Sequence, residues 1–274
     1  MKCLSLLVAA ALSPACLAIC IGDVTTDFKC VVPIIDDAGN TVGSGILVGK
    51  NKIITADHVP GSRTKLGLTT HKASQRVSAP KRPDGTQPDL TVLIFDSEIS
   101  TDYYTIDTGA VPIGSTICII GYGNSSTDAT SPFTLKQDTD NTRRVAKNTV
   151  DTVTSLSTDD DPKKYKDDVY CYDFDRPGNT PPNDGITTPG DSGGATLVVD
   201  PSGKSRLVGM IVGGEASDTT AKYGDQSYSS KLSNYKDWIS SVPEPSSTAT
   251  VALGVIAIAA RRRRKSYSPI AESP

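Results

Sequence analysis

Two short segments of the chain carry residue types that are suited to nucleophilic catalysis. The first is Gly190-Asp-Ser-Gly-Gly194, in which glycines would expose the hydroxyl of Ser192 and let backbone N–H groups face a substrate oxyanion. The second is Thr55-Ala-Asp-His58, which closes an apolar run. His58 and His71 are the two histidines of the chain, and histidine is the best general base near neutral pH. We favour His58, because a strand end positions it rigidly, whereas His71 lies in a polar stretch.

A carboxylate that orients the histidine would complete this chemistry. Asp89 directly precedes a short apolar run, so we predict that it holds one tautomer of the His58 imidazole and stabilises the imidazolium. Asp96 ends the same run and Asp57 adjoins the histidine, but neither precedes an apolar segment. The predicted catalytic residues are therefore His58, Asp89 and Ser192.

The segments between these motifs are typical of an all-β protein. Short apolar or alternating runs, rich in β-branched side chains, recur between turn residues and favour strands over helices. The predicted strands are Cys30–Ile35, Thr41–Val48, Lys52–Ala56, Leu90–Phe95, Thr116–Ile120, Ala195–Val199 and Leu207–Val212. Helical spacing predicts one amphipathic helix near the end of the body, through Leu232, Tyr235, Trp238, Ile239 and Val242. We interpret Thr108–Pro112 as a joint between two lobes.

Composition excludes several other classes of protein. The chain has 274 residues, of which 37% are hydrophobic and 22% charged, with 23 glycines and 18 prolines. This mix is too apolar for intrinsic disorder and too rich in helix breakers for a helical bundle. The formal net charge is −3, and a basic run near the C-terminus leaves the body more acidic than that. An acidic body argues against nucleic acid as a partner.

The cysteines indicate an exported protein rather than a metal site. After removal of a signal peptide, four remain, which allow three pairings among which the sequence does not choose. They are Cys20, Cys30, Cys118 and Cys171. No cysteine or histidine spacing indicates zinc, so neither a metal nor another cofactor is predicted.

The two ends of the chain have the composition of targeting segments. Residues 1–18 combine an early lysine, an apolar run and small residues, which predicts a secretory signal peptide cut after Ala18. Near the other end, a Val-Pro-Glu-Pro-Ser motif precedes an apolar run, 249–260, and the basic cluster Arg261–Lys265. As a helix this run spans about 18 Å, short of the roughly 30 Å hydrocarbon core, so it would be a marginal anchor.

The order of these C-terminal features resembles the bacterial PEP-CTERM sorting signal, which has a Pro-Glu-Pro motif, a membrane segment and an Arg-rich tail. The resemblance implies export, a hold in the inner membrane through residues 243–265, and processing by an exosortase, with 266–274 as an extra tail. The expected location is the periplasm and inner membrane, then the cell surface or extracellular matrix. An ordinary tail-anchor helix is the alternative.

His58, Asp89 and Ser192, in that order and in their local contexts, resemble the trypsin-like serine proteases of the chymotrypsin fold. Gly209–Gly214 is similar to a strand that forms one pocket wall in that family, and Tyr228–Ile239 is similar to its final strand and helix. The likeness implies a secreted serine endopeptidase that hydrolyses peptide bonds in polypeptides through an acyl-enzyme intermediate. The alternatives are a catalytically silent, protease-like binding module on the cell surface and a structural matrix protein.

The same likeness implies the architecture. Two six-stranded β-barrels would hold the triad between them, with residues 19–110 forming the first and 111–242 the second together with the terminal helix. Family cysteines near the catalytic histidine and serine are missing here, so the family's conventional disulfides are not expected. The acidic insertion between Asp159 and Asp184 is interpreted as a solvated surface loop rather than a calcium site.

The likeness also implies a substrate pocket. The N–H groups of Gly190 and Ser192 would bind the oxyanion. Counting back from the serine puts Ile186 near the pocket floor, where it would favour a neutral or apolar substrate side chain over Arg or Lys, although Glu215 could supply a charge. The pocket wall would be formed by Val212, Gly213 and Gly214.

The last implied feature is activation by a free N-terminal amine. In the family such an amine is buried against the carboxylate that precedes the catalytic serine, which is Asp191 here. Cleavage after Ala18 would place the amine on Ile19, so signal peptidase itself is expected to activate the enzyme. The alternative is that another group partners Asp191.

Overall fold

The computed structural model describes residues 17–20, 22–128, 130–137, 141–160, 163–176, 184–200 and 204–243. Within these ranges the chain forms nineteen strands, one 3₁₀ turn and one short α-helix. The predicted signal peptide up to residue 16 and the predicted membrane run 249–260 lie outside them. Among the described residues no helix is long and apolar enough to cross a membrane.

The strands confirm the predicted all-β fold. In chain order they are β1 Leu17–Ala18, β2 Asp23–Val24, β3 Val31–Ile35, β4 Thr41–Gly49, β5 Lys52–Thr55, β6 Arg63–Leu66, β7 Thr69–Lys72, β8 Gln75–Ser78 and β9 Thr91–Ile94. They continue as β10 Thr116–Gly121, β11 Ser125–Ser126, β12 Phe133–Thr134, β13 Arg144–Thr149, β14 Thr152–Asp160, β15 Lys163–Asp173, β16 Ala195–Val199, β17 Ser205–Gly214, β18 Thr220–Ala221 and β19 Gln226–Lys231. Each of the seven runs that the sequence predicted as strands overlaps one of these strands.

Seven strands of the first half form one antiparallel sheet, in the order β7-β6-β3-β4-β5-β9-β8. Strands β3, β5 and β9 of this sheet are buried throughout and consist mainly of Val, Ile and Leu. Strands β5 and β9 pair with Thr55 opposite Thr91. The residues that follow β5 and those that precede β9 therefore meet at one rim of the sheet, and these residues include His58 and Asp89.

The second sheet has the order β14-β15-β19-β17-β16-β10-β13-β2. The sheets thus have seven and eight hydrogen-bonded strands where the family likeness implied six in each barrel. Strand β16 begins immediately after Gly194, and β17 pairs with it on one side and with β19 on the other. This arrangement sets the Ser192 loop beside the end of β17, which carries the predicted wall residues Val212 to Gly214.

Strands β14 and β15 form a long hairpin where a solvated loop was expected. Their register runs from Thr152 opposite Cys171 to Asp160 opposite Lys163. Along β15 the side chains of Tyr165, Asp167 and Val169 are buried, while those of Lys164, Lys166 and Asp168 between them are exposed. The loop interpretation was wrong because polar residues form this strand, and the alternation that marks it is one of burial rather than of hydrophobicity.

The C-terminal helix is shorter than its apolar spacing suggested. A 3₁₀ turn spans Leu232–Asn234, and helix α1 spans Lys236–Ser241. Ile239 packs into the largest apolar cluster, which joins residues of both sheets. The four cysteines described are free thiols, namely Cys20, Cys30, Cys118 and Cys171.

Candidate active site

Asp89 holds His58 at two points. Its Oδ2 lies 2.6 Å from Nδ1 of the imidazole, and its Oδ1 accepts the backbone N–H of His58 at 3.0 Å. The carboxylate side chain is 8% exposed, whereas the imidazole is 38% exposed. A carboxylate at Nδ1 keeps the proton on that nitrogen and leaves Nε2 as an acceptor. Nε2, on the side of the ring away from Asp89, is therefore the nitrogen that can take a proton.

The loop that carries Ser192 is hydrogen-bonded to Ser44 of the other sheet. The N–H of Ser44 donates to the Ser192 carbonyl at 2.8 Å, and its hydroxyl donates to the Gly190 carbonyl at 2.9 Å. Gly193 has a φ of +85°, and a Cβ there would lie 2.0 Å from the Ser44 carbonyl oxygen. Glycine is required at this position because the two backbones approach too closely for any side chain.

Two N–H groups of this loop face away from the protein's own acceptors. The Asp191 N–H donates to the Thr188 carbonyl at 3.0 Å, and the Gly193 N–H donates to the Ile211 carbonyl at 2.7 Å. Across the described part of the chain, the N–H groups of Gly190 and Ser192 have no acceptor within the protein. Unpaired donors that flank a serine hydroxyl are the arrangement that binds an oxyanion.

His58, Asp89 and Ser192 all line one cavity of about 390 Å³. Strand β17 contributes Val212, Gly213 and Gly214 to its lining. The β14–β15 hairpin contributes further lining residues that the sequence interpretation did not include. These are Leu156, Thr158, Tyr165, Lys166 and Asp167.

Comparison with known families agrees with the family resemblance of the motifs around His58, Asp89 and Ser192. Residues 23–239 match the Trypsin family. The chain belongs to the trypsin family. Residues 241–264 match the PEP-CTERM protein-sorting motif, which implies an exported protein. No curated protein matches the chain.

Of the residues expected around the trypsin-family site, Ile186 lies elsewhere. It is fully buried in a small apolar cluster with Cys20 and Phe174 and is not among the residues that line the cavity. Its backbone pairs with that of Cys20, with N···O distances of 3.0 and 3.4 Å. Thr187 lines the cavity instead, because adjacent residues of an extended segment point to opposite sides. Counting from the serine therefore placed the lining one residue too early.

Asp191 is fully buried beneath the serine loop. Its Oδ1 accepts the N–H of Gly123 at 2.8 Å, and its Oδ2 accepts the N–H and the hydroxyl of Thr188 at 2.8 and 2.9 Å. Burial raises the pKa of Asp191 to about 6, against the opposing effect of these hydrogen bonds and of the Arg144 charge. Ile19, its expected partner, is fully buried in an apolar cluster of the second sheet.

The hairpin brings a second carboxylate to the cavity. Asp167 is 4% exposed, and it accepts the hydroxyls of Ser230 and Tyr235. Burial raises the pKa of Asp167 to about 6. The described residues contain no group of three or more His, Cys, Asp or Glu that could hold a metal ion.

Proposed function

We propose that the chain is an exported serine endopeptidase that cleaves polypeptides through an acyl-enzyme intermediate. The observation that carries the proposal is the two-point contact between Asp89 and His58. Both residues line the same cavity as Ser192. A binding module would have no need of a histidine whose tautomer is set for accepting a proton.

The proposed reaction begins when the Ser192 hydroxyl attacks the scissile carbonyl carbon and its proton passes to Nε2 of His58. The oxygen of that carbonyl becomes an oxyanion, which accepts the N–H groups of Gly190 and Ser192. Collapse of this intermediate expels the leaving amine, which takes the proton from the imidazolium. Water then attacks the acyl-enzyme with His58 again as the base, and the acid product and free Ser192 are released.

A covalent probe tests the proposal directly. A fluorophosphonate should label the wild-type chain, and Ser192→Ala should abolish the labelling while the circular dichroism spectrum stays unchanged. Turnover of a peptide substrate should fall by about 10⁶ in the same variant. Labelling of Ser192→Ala as strong as that of the wild type would refute the assignment of the nucleophile. An unlabelled, folded wild type would favour the silent binding module.

The proposed specificity is for a neutral or apolar side chain before the scissile bond. The support is that Thr187, Gly213 and Gly214, which line one part of the cavity, carry no carboxylate. The Asp167 carboxylate accepts the hydroxyls of Ser230 and Tyr235, and the Glu215 carboxylate accepts the N–H of Gln226. A cation beside Thr187, Gly213 and Gly214 would lose its hydration without gaining a partner among them. A peptide-library profile dominated by Arg and Lys would contradict this.

The proposed activating group is the amine of Ile19, released by signal peptidase. Support comes from the buried Asp191 carboxylate, which accepts hydrogen bonds from the neutral N–H groups of Gly123 and Thr188. Further support comes from Cys20, next to Ile19, whose backbone pairs with that of Ile186 six residues before the serine. A buried carboxylate is stabilised by a cation. The buried side chain of Arg144 is the alternative source of that charge.

An N-terminal extension separates these two partners. A recombinant chain that starts with one Met before Ile19 should lose most of its activity if the amine is required. Undiminished activity would reject the pair between the Ile19 ammonium and Asp191.

The proposed route to the surface follows from the sorting motif. The exported chain would be held in the inner membrane by residues 243–265 and processed by an exosortase before it reaches the cell surface or matrix. Deletion of residues 243–274 should release active protease from the membrane fraction, because Trp238 and its helix precede the deletion. Loss of folding on deletion would make the segment part of the domain.

A further inference from the structure

Asp57, the residue before the catalytic histidine, has a side chain that is inaccessible to solvent. Three side chains donate to its carboxylate. Ser78 Oγ donates to Oδ1, Gln87 Nε2 donates to Oδ2 at 2.9 Å, and Tyr165 OH donates to Oδ2 at 3.2 Å. A buried carboxylate with this many donors is held in one orientation. Any rotation would break a hydrogen bond to a buried charge, and no water could replace the lost donor.

Arg76 fixes the two ends of the turn that carries His58. Its Nη2 donates to the Asp57 carbonyl at 2.8 Å and its Nη1 donates to the Gly61 carbonyl at 3.0 Å. Within the turn, the N–H of Val59 donates to the Ala56 carbonyl at 3.1 Å. Both ends of the segment are therefore tied to the strand β8 guanidinium.

The tyrosine in this network comes from the other sheet. Strand β15 meets the segment before Asp89 through two backbone contacts, in which the Gln87 N–H donates to the Lys164 carbonyl and the Lys166 N–H donates to the Gln87 carbonyl, each at 3.0 Å. These contacts hold Tyr165 over Asp57, and Tyr165 also lines the catalytic cavity. The hairpin thus reaches from the second sheet to the residue beside the catalytic base.

We propose that Asp57 and Tyr165 are positioning residues, through which the β14–β15 hairpin aligns His58. The proposal rests on the proposed function, because alignment matters only if His58 is the base. The four described cysteines are free thiols, so polar contacts rather than a disulfide between them stabilise this turn. A misplacement of about 1 Å in a catalytic group costs up to 10²-fold in rate, so a network that fixes the turn has a measurable effect.

Tyr165→Phe removes one hydroxyl and tests the link. We expect kcat to fall about tenfold with KM changed less than twofold, because the substrate wall keeps its shape. Tyr170→Phe is the matched control, because it removes the same atom from the same strand. Tyr170 lies five residues further along, so it faces the opposite side of the sheet and packs in a different cluster. This control should leave kcat unchanged.

Nuclear magnetic resonance of the imidazoles separates alignment from stability. The chain has two histidines, so the Nδ1 proton of His58 can be distinguished from the signals of His71. In Tyr165→Phe the His58 resonance should shift and broaden, while His71 and both signals of Tyr170→Phe should remain as in the wild type. Equal kcat and equal His58 resonances in the two variants would overturn the proposal.

A second variant covers the case in which Tyr165→Phe does not fold. Asp57→Asn keeps one acceptor oxygen and turns the other into a donor that faces other donors, so it should disturb the same His58 signal and lower kcat more strongly. An unperturbed His58 signal in folded Asp57→Asn would overturn the proposal. If the wild type neither reacts with fluorophosphonate nor cleaves peptides, the proposed function fails, and the imidazole signals still test the positioning role by themselves.

Discussion

The turn around His58 and the loop around Ser192 are held by different kinds of contact. The His58 turn is stabilised by hydrogen bonds from side chains, some of which are charged, such as Arg76, and some of which come from distant parts of the chain, such as Tyr165. The Ser192 loop is stabilised by hydrogen bonds to backbone and hydroxyl groups and by close packing against Ser44. We therefore expect the proposed base, His58, to respond to substitution of the side chains around it, whereas the proposed nucleophile, Ser192, and the N–H groups beside it depend on backbone shape.

Each arrangement suits its task. A general base must keep one edge open for proton transfer, and a side-chain network can hold the far edge of His58 without covering the near one. Oxyanion donors must be fixed before the charge develops, which backbone contacts achieve without reorganisation. The cost of the second arrangement is the buried carboxylate of Asp191, whose pKa is raised to about 6.

Among substitutions that keep Ser192, the largest expected effect is on the His58 turn. Asp89→Asn should lower kcat by about 10⁴ with the fold retained, the size of loss typical of this change in the family's triad. The asparagine oxygen can still accept the His58 N–H, but its amide nitrogen would donate to Nδ1 and force the proton onto Nε2. Kinetics with a peptide substrate measure the loss. A variant that keeps more than a tenth of wild-type kcat would show that Asp89 does not set the tautomer.

The next effect is on the shape of the Ser192 loop. Gly193→Ala should cost about 3 kcal/mol or more in free energy of unfolding, because its Cβ would lie 2.0 Å from a backbone oxygen at a φ of +85°. Gly224→Ala is the matched control, with a φ of +93° and nothing within 4 Å of the added atom, and should cost about 1 kcal/mol. Urea unfolding measures both. Equal losses would mean that backbone strain alone, and not the contact with Ser44, requires the glycine.

The comparison also explains what the sequence could predict. His58, Asp89 and Ser192 lie in contiguous motifs beside apolar runs, so local patterns were sufficient to select them as candidates, and all three line one cavity. The partners of Asp57 come from 19 to 108 residues away, and no local pattern announces a contact of that length. The sequence argued against Asp57 as the triad acid, but it gave no sign of the residues that contact Asp57, because only the folded sheets bring them together.

The strands with apolar runs were also predictable from local patterns. Ala195–Val199 has the predicted bounds, and the other predicted strands differ from the observed ones by small shifts at their ends. The hairpin was missed because β14 and β15 are polar and pair chiefly with each other and with β19. Ile186 was misplaced by one position, which reverses the side of an extended segment that a residue faces.

The smallest expected effect concerns the neutral donors of the Ser192 loop. Thr188→Val keeps the shape of the side chain and removes a hydroxyl whose single proton is shared between Asp191 Oδ2 at 2.9 Å and the Asn124 carbonyl at 2.8 Å. At pH 8 the carboxylate is ionised, because its pKa in the folded protein is about 6, and the loss should be about 1.5 kcal/mol, as for a hydrogen bond to a charged group. At pH 5 the carboxyl is mostly protonated, and the loss should fall to about 0.5 kcal/mol.

The sign of this pH dependence follows from the direction of the pKa shift. The pKa of Asp191 is raised above its unfolded value of 3.8, so its contribution to stability is fully present at low pH and is lost as the pH rises through about 6. Removal of the Thr188 hydroxyl raises that pKa further, so the deficit of the variant grows between pH 5 and pH 8.

Thr64→Val is the matched control, since its buried hydroxyl donates to the neutral Pro33 carbonyl at 2.8 Å. Urea unfolding at the two pH values, in a Ser192→Ala background that prevents self-digestion, should show a pH-dependent deficit for Thr188→Val and a constant one for Thr64→Val. A constant deficit of about 0.5 kcal/mol for Thr188→Val would mean that Asp191 is neutral at both pH values, and the Ser192 loop would then contain no buried charge for an amine to neutralise. A constant deficit of about 1.5 kcal/mol would mean that Asp191 is ionised at both, as a neighbouring cation would cause.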